Sequence, residues 1–358
     1  MQLTRKRNKT AAVVGLDIEA GSIAATEVRV NGGAEVTASA IAPLPPGTFH
    51  EGEVVDSDAL TAALKSLFSE HKLAKQVRLG VGNQRVVVRT VRLPAIEDPK
   101  QMEAAVRFQA QEQIPMPLDQ AVLEHQVVGG VPAEEGSTPQ VDVIVVAARR
   151  EMVSSFVEPI RRAGLHPVGI DLSAFGMIRA LAEVEVSVEN GERPSSAVLY
   201  CNVGDVTNLA VARGTSCLFT RVSHVGLEAI TDGLASSRGL VPEHAMQWLT
   251  YVGLERPLEE IEGDPEIVAQ ARLALEDGVT ALIDELRLSL DYYAAQGSAL
   301  PVERIVLCGP GSAIAGLPGR MESSLGFQLG VSRPLALSQF DDASAARLTL
   351  PYGLALER

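Results

Sequence analysis

The sequence predicts an α/β protein of two similar lobes facing each other across a cleft, with a smaller α/β unit inserted into the first. Three observations carry that prediction. An apolar run, Val13-Val14-Gly15-Leu16-Asp17-Ile18, passes through Glu19-Ala20-Gly21-Ser22 into a second run, Ile23-Ala24-Ala25-Thr26-Glu27-Val28. The pattern recurs in Ala197-Val198-Leu199-Tyr200-Cys201-Asn202-Val203-Gly204-Asp205-Val206-Thr207-Asn208-Leu209-Ala210-Val211. Late in the chain a buried-type strand, Arg304-Ile305-Val306-Leu307-Cys308, runs into the glycine-rich Gly309-Pro310-Gly311-Ser312-Ala313-Ile314-Ala315-Gly316-Leu317.

Each observation has a physical reading. A strand, a tight turn and an antiparallel strand place Asp17 at a strand end and let the turn present backbone N–H groups to an anion. Repetition of the hairpin suggests two related halves. A glycine-rich turn at the carboxyl end of a strand is where ligands bind in open α/β sheets, and the same turn also lets a helix pack closely.

The bulk numbers agree with this picture. At 358 residues, more than one lobe is expected, and 46% apolar with 21% charged residues is the composition of a folded globular chain. A net charge of −14 argues against a surface that binds a nucleic-acid backbone. No apolar run approaches the roughly 20 residues of a membrane span, and the basic start, residues 1–11, reads as a flexible arm without a signal-peptide core. A cytoplasmic location is expected. Cys201, Cys217 and Cys308 lie far apart in apolar settings, and buried free thiols are expected.

In chain order, residues 12–84 are expected to form the first part of the first lobe, with a helix over 58–71 capped by Ser57 or Asp58 and a strand over 77–81. Residues 85–160 form the inserted domain: a strand stopped by Pro94, a helix ended by Ile114-Pro115-Met116-Pro117-Leu118, strands over 122–128 and 141–148, and a closing helix over 150–163. The first lobe resumes over 161–190, and 189–194 is a polar linker. The second lobe comprises 195–226, a helical outer subdomain over 227–275, and 276–342; residues 343–358 return to the first lobe. The acidic stretch 255–266 reads as a solvated loop.

A longer set of motifs resembles the actin-like ATPase superfamily, whose fold is of the ribonuclease H-like kind, and within it the PilM family of type IV pilus assembly proteins, relatives of FtsA. Leu93-Pro94, Met102-Glu103-Ala104-Ala105-Val106-Arg107-Phe108-Gln109-Ala110-Gln111 and Gln113-Ile114-Pro115-Met116-Pro117-Leu118 resemble the family run in which an acidic helix ends at Ile-Pro-Phe-Pro. Val145-Val146-Ala147-Ala148-Arg149-Arg150-Glu151, Glu285-Leu286-Arg287-Leu288-Ser289-Leu290-Asp291-Tyr292-Tyr293 and Pro351-Tyr352-Gly353-Leu354-Ala355-Leu356 follow in the family's order, so the resemblance covers roughly 12–357. It implies an actin-like two-lobed fold with an FtsA/PilM-type inserted small domain. It also implies a cytoplasmic adaptor, peripheral to the inner face of the cell membrane, that captures the N-terminal peptide of a PilN-like membrane protein between the first lobe and the insert. Other pilus assembly components are implied as further partners.

The resemblance also implies a nucleotide cleft for ATP with Mg²⁺. Carried over residue by residue, Asp17 (also the expected metal-side ligand), Gly21 and Ser22 match the first phosphate motif, Gly204 and Thr207 the second, and Gly309 and Gly311 the adenosine motif; Asn202 stands at a binding position where the second motif usually has aspartate. Glu19 replaces a glycine, Ala24 a lysine, Pro310 intrudes between glycines, and Ala245-Met246-Gln247-Trp248-Leu249 lacks the two charges of the family's Ala-Glu-x-x-Lys helix. A Glu19 carboxylate is expected to obstruct and repel phosphate, and Asn202 attracts no cation by charge. No catalytic residue is assigned, and turnover is expected to be absent or very slow. An active ATPase and an FtsA-like filament, with self-association, are the competing readings.

Overall fold

The computed structural model describes residues 12–131, 138–182, 195–297 and 299–356. The basic arm, most of the polar loop after residue 131 and the 189–194 linker therefore lie outside the described residues.

The first lobe opens with β1 (Val13–Ile18) and β2 (Ser22–Val30), paired antiparallel with Asp17 opposite Ala24 and Ile18 opposite Ile23. β3 (Ala34–Pro43) extends the sheet, and the short strands β4 (Phe49–His50) and β5 (Glu53–Val54) form a separate small hairpin. Helix α1 (Ser57–His71) buries Leu60, Leu64, Leu67 and Phe68. Its cap is Asp56, not Ser57 or Asp58: the helix starts one residue earlier than expected, and the extended Asp56 accepts from the backbone N–H groups of Asp58 and Ala59, both at 2.9 Å. β6 (Gln76–Val81) then lies parallel to β1.

The insert follows as β7 (Val87–Pro94), α2 (Pro99–Gln113), β8 (Ala121–Val131) and β9 (Gln140–Arg149), in a three-stranded sheet of order β7-β9-β8. Asp98 caps α2, and Met102, Val106 and Ala110 bury against Val91, Val143 and Val145 of the sheet. Ile114 turns extended at the helix end and is buried in the same cluster, with Met116 and Leu118 packed beside it. The proline-flanked segment thus fastens α2 to its own sheet.

Helix α3 (Arg150–Arg162), expected to close the insert, is bonded to it at its start, where Arg150 Nη2 donates to the Ala121 carbonyl at 2.9 Å, while its apolar stripe is buried elsewhere. Met152, Phe156 and Ile160 enter the first-lobe core with Leu60 and Leu64, and the Phe156 ring stands edge-on to Phe49 at 6.1 Å. The reason is amphipathicity: its apolar stripe packs beside α1 in the first-lobe core. β10 (His166–Leu172) joins β6 in parallel, and α4 (Ser173–Leu181) follows.

The second lobe repeats the first. β11 (Ala197–Val203) and β12 (Thr207–Arg213) form the second hairpin, extended by β13 (Ser216–Ser223). Helices α5 (Leu227–Arg238), α6 (Pro242–Val252) and α7 (Pro265–Ala294) come next; Asp264, from the acidic stretch, caps α7. β14 (Val302–Cys308) lies parallel to β11, and α8 (Leu317–Leu325) leads to β15 (Gln328–Val331). The two five-stranded sheets have matching orders, β10-β6-β1-β2-β3 and β13-β12-β11-β14-β15, each with a hairpin on one side of its central strand and a parallel neighbour on the other.

Helix α9 (Asp342–Ala355) returns to the first lobe and packs on β1 and β2, where Leu348, Tyr352 and Ala355 meet Ala24 and Val28. The approach is close enough that a Cβ on Gly15 would lie 1.8 Å from the Pro351 carbonyl oxygen. A glycine is required there, and the close contact brings the first turns of α9 under the β1–β2 turn.

Candidate functional site

The two hairpins end face to face. Asp17, at the end of β1, is 6% exposed, and Glu19 and Ser22 flank the turn. Into this turn projects Arg347 of α9, itself 7% exposed. Its Nη1 donates to the Asp17 carboxylate, its Nε donates to Ser22 Oγ at 3.0 Å and lies 3.2 Å from Glu19 Oε2, and its Nη2 donates to the Asp17 and Ser22 carbonyl oxygens at 3.3 and 3.1 Å. One guanidinium therefore engages the polar groups of the first phosphate-type turn from the α9 side. Burial opposes its charge, but Glu19 and Asp17 hold it protonated, above the ordinary guanidinium value.

The second hairpin meets the first directly. The Asp205 carboxylate accepts the backbone N–H of Ala20, and the Glu19 carboxyl lies so close to Gly204 that a Cβ there would sit 2.2 Å from Oε1. Each turn thus inserts an acid into the other. Burial pushes the Asp205 carboxyl up to about 6, against the pull of the Ala20 N–H. Burial likewise pushes Glu19 up to about 8; Arg347 pulls it down, but Asp205 and Asp17 stand close by and share that guanidinium's charge. Of the two raised acids, Glu19 is held further above its ordinary value than Asp205, and its side chain occupies the space before Gly204.

The other expected residues are held by the fold. Asn202 is 5% exposed, and its Oδ1 faces Cys308 Sγ at 3.8 Å. Gly309, with φ +81°, comes so near that an added Cβ would be 2.3 Å from Asn202 Oδ1, and one on Gly311 would be 2.5 Å from Val203 Cγ1. Both glycines therefore serve the packing of the late turn against β11. Thr207 Oγ1 donates to the Val225 carbonyl at 2.6 Å, and Gly21 lies exposed in the first turn. In α6, Ala245 and Leu249 sit in the second-lobe core, and Trp248 packs against Gly263 and Tyr251. Burial pushes the Cys201 and Cys217 thiols up to about 12, as inert buried thiols require.

The cleft is tied again at its mouth. His50 Nδ1 lies 2.8 Å from Glu228 Oε1, and the backbone N–H of Glu51 donates to Glu228 Oε2 at 3.0 Å, joining β4 to α5. The hydrogen bond to Glu228 raises the His50 pKa above its usual value. Between the two ties, the cavity lined by Asp17, Glu19, Asn202 and Asp205 measures about 20 Å³. A wider groove of about 280 Å³ opens elsewhere, where Asn83, Gln84, Val88 and Arg89 at the start of the insert meet Leu172 and Thr220.

Asp17, Glu19, Asn202 and Asp205 are brought to one cavity, with Ser22 and Gly204 beside it; Thr207 and Gly311 turn to structural contacts. Arg347 and Asp205 are absent from the expected set. A signal for Arg347 exists: it is a lone cation in the apolar run Ala345-Ala346-Arg347-Leu348-Thr349-Leu350, and a cation buried on such a helix needs carboxylate partners. Which carboxylates is not encoded locally, since Asp17 lies 330 positions away.

Known proteins share this architecture. A structure described as a PilM-PilN type IV pilus biogenesis complex has a chain 29% identical to this one, covering 97% of this chain and 98% of its own, with a TM-score of 0.77. MreB5 of Spiroplasma citri bound to ADP is 12% identical over 96% of this chain and 95% of its own, with a TM-score of 0.53. The ethanolamine utilization protein EutJ from Carboxydothermus hydrogenoformans is 14% identical over 97% and 90%, also at 0.53. At those identities the latter two show the fold alone, which is the actin-like two-lobed fold. The family described as type IV pilus assembly protein PilM matches residues 15–357. With paired hairpins, an inserted small domain and a family match over nearly its whole length, the chain belongs to the PilM family of type IV pilus assembly proteins.

Proposed function

We propose that the chain is a cytoplasmic adaptor of type IV pilus assembly that binds the N-terminal cytoplasmic peptide of a PilN-like inner-membrane protein. The observation that carries this reading is the 29% identity, over 97% of the chain, to the PilM-PilN complex chain. The partner holds the adaptor at the inner face of the membrane; among the described residues no helix is long and apolar enough to cross one. The groove where the insert and first lobe meet Thr220 and Val222 of the second lobe is the proposed seat of the peptide. Its walls combine apolar Val88 and Leu172 with polar Gln84 and Arg89, a mixture suited to an extended peptide with a few fixed polar contacts.

ATP turnover forms no part of this function. Phosphoryl transfer on this fold needs a cation and a positioned water between the hairpins. Asn202 supplies no charge for the cation, and Glu19 lies packed against Gly204 in the turn.

The test is binding of a labelled peptide copied from the cytoplasmic N-terminus of the cell's own PilN-like protein. Saturable binding in roughly the micromolar range is expected, weakened about tenfold or more by Arg89→Glu with Gln84→Ala. Normal recruitment of the chain to membranes that lack only this partner would overturn the reading.

A further inference from the structure

The fold family implies Mg²⁺ and a nucleotide between the two hairpins, and the residues present do not fit them. The cavity among Asp17, Glu19, Asn202 and Asp205, where the phosphates and cation would sit, is about 20 Å³, little more than one water and too small for a phosphate chain with its cation. The missing volume is filled by the chain itself. We infer that Asp205 and Arg347 are built-in surrogates for nucleotide and cation, holding the cleft closed without either ligand.

The geometry assigns each surrogate its part. Turn amides after a strand receive anions because their N–H dipoles converge. Here the Ala20 N–H is already taken by the Asp205 carboxylate, delivered from the opposite lobe. A divalent cation in such a cleft is held through acids like Asp17. Here Asp17 is taken by the guanidinium of Arg347, which also takes Ser22 Oγ and the carbonyl oxygens of Asp17 and Ser22. Glu19 completes the closure by filling the space before Gly204, the residue at which backbone is otherwise free to approach a phosphate.

The consequence is mechanical. In a nucleotide-gated relative the ligand bridges the lobes; here the Ala20–Asp205 bond and the His50–Glu228 pair bridge them within the chain. The angle between the lobes is fixed by covalent sequence, and the chain presents one conformation to whatever it binds.

The experiment uses the natural full chain and no partner, so its outcome does not depend on the peptide proposed above. Fluorescent Mg-ATP is titrated to about 1 mM, and amide exchange is followed at Ala20 in the natural chain and in Asp205→Ala. No saturable nucleotide binding is expected, together with an Ala20 amide that exchanges at least about tenfold faster in Asp205→Ala. Saturable Mg-ATP binding at or below about 0.1 mM by the natural chain would overturn the inference. So would an Ala20 amide that exchanges equally fast in both chains, because Asp205 would then not occupy the turn.

Discussion

The two hairpins share a backbone and differ in what their turns hold. The β1–β2 turn is a charged junction: Asp17, Glu19 and Ser22 converge on Arg347, and Ala20 receives Asp205. The β11–β12 hairpin contributes one acid, Asp205 at its turn, and is otherwise neutral and packed: Asn202 faces Cys308, Gly309 fits against Asn202, and Thr207 bonds the Val225 carbonyl. The same hairpin plan holds an electrostatic plug on one side and a packed wall on the other. The polar groups at the two turns are satisfied within the chain, because a buried charge without a partner is far costlier than a buried pair.

The largest effect is expected at the plug. Arg347→Ala leaves Asp17 buried without its cation, and breaking a buried pair in this way costs about 3–5 kcal/mol. Urea unfolding of the full chain is expected to show that loss, with the first lobe opening before the second. A variant as stable as the natural chain would mean that the guanidinium is dispensable.

The next effect is one of pH. The folded pKa of Glu19, about 8, lies above its ordinary value of 4.5, so the folded chain keeps a proton that the unfolded chain releases. Stability from this group is complete below about 4.5 and declines as pH rises through about 8. His50 acts in the same direction: its pKa is raised above 6.5, so its contribution is present below 6.5 and fades as pH rises through the higher folded value. Glu19→Gln removes the first group and leaves the second. Its melting temperature is expected to fall less between pH 5 and 8 than that of the natural chain, and an identical slope in both would refute protonation of Glu19.

The smallest effect belongs to the packed hairpin. Thr207→Val removes the hydroxyl that donates to the Val225 carbonyl, at a cost of about 1 kcal/mol, with the Ala20 amide exchange left as in the natural chain. A change at Ala20 in this variant would show that the second hairpin's packing, not Asp205 alone, sets the first turn.

What is written in the chain is the local and the periodic. Alternating strands, Asp and Pro at helix starts, and the Ile114-Pro115-Met116-Pro117-Leu118 stop depend on neighbours a few residues away, so they are legible from the chain. The repeated hairpin made the two lobes legible for the same reason, and the substitutions at Glu19 and Asn202 marked the cleft as altered. Packing settled where the apolar stripe of α3 is buried, in the first-lobe core while Arg150 at its start bonds to Ala121 of the insert, because an amphipathic stripe states that a face is buried and not against what. Packing settled the fate of the cleft as well. Arg347 and Asp17 are 330 positions apart, and Asp205 and Ala20 are 185 apart. Nothing in either local run specifies those partners; they meet because α9 crosses within contact of Gly15 and because the two turns close on each other, and buried charge then selects the pairing.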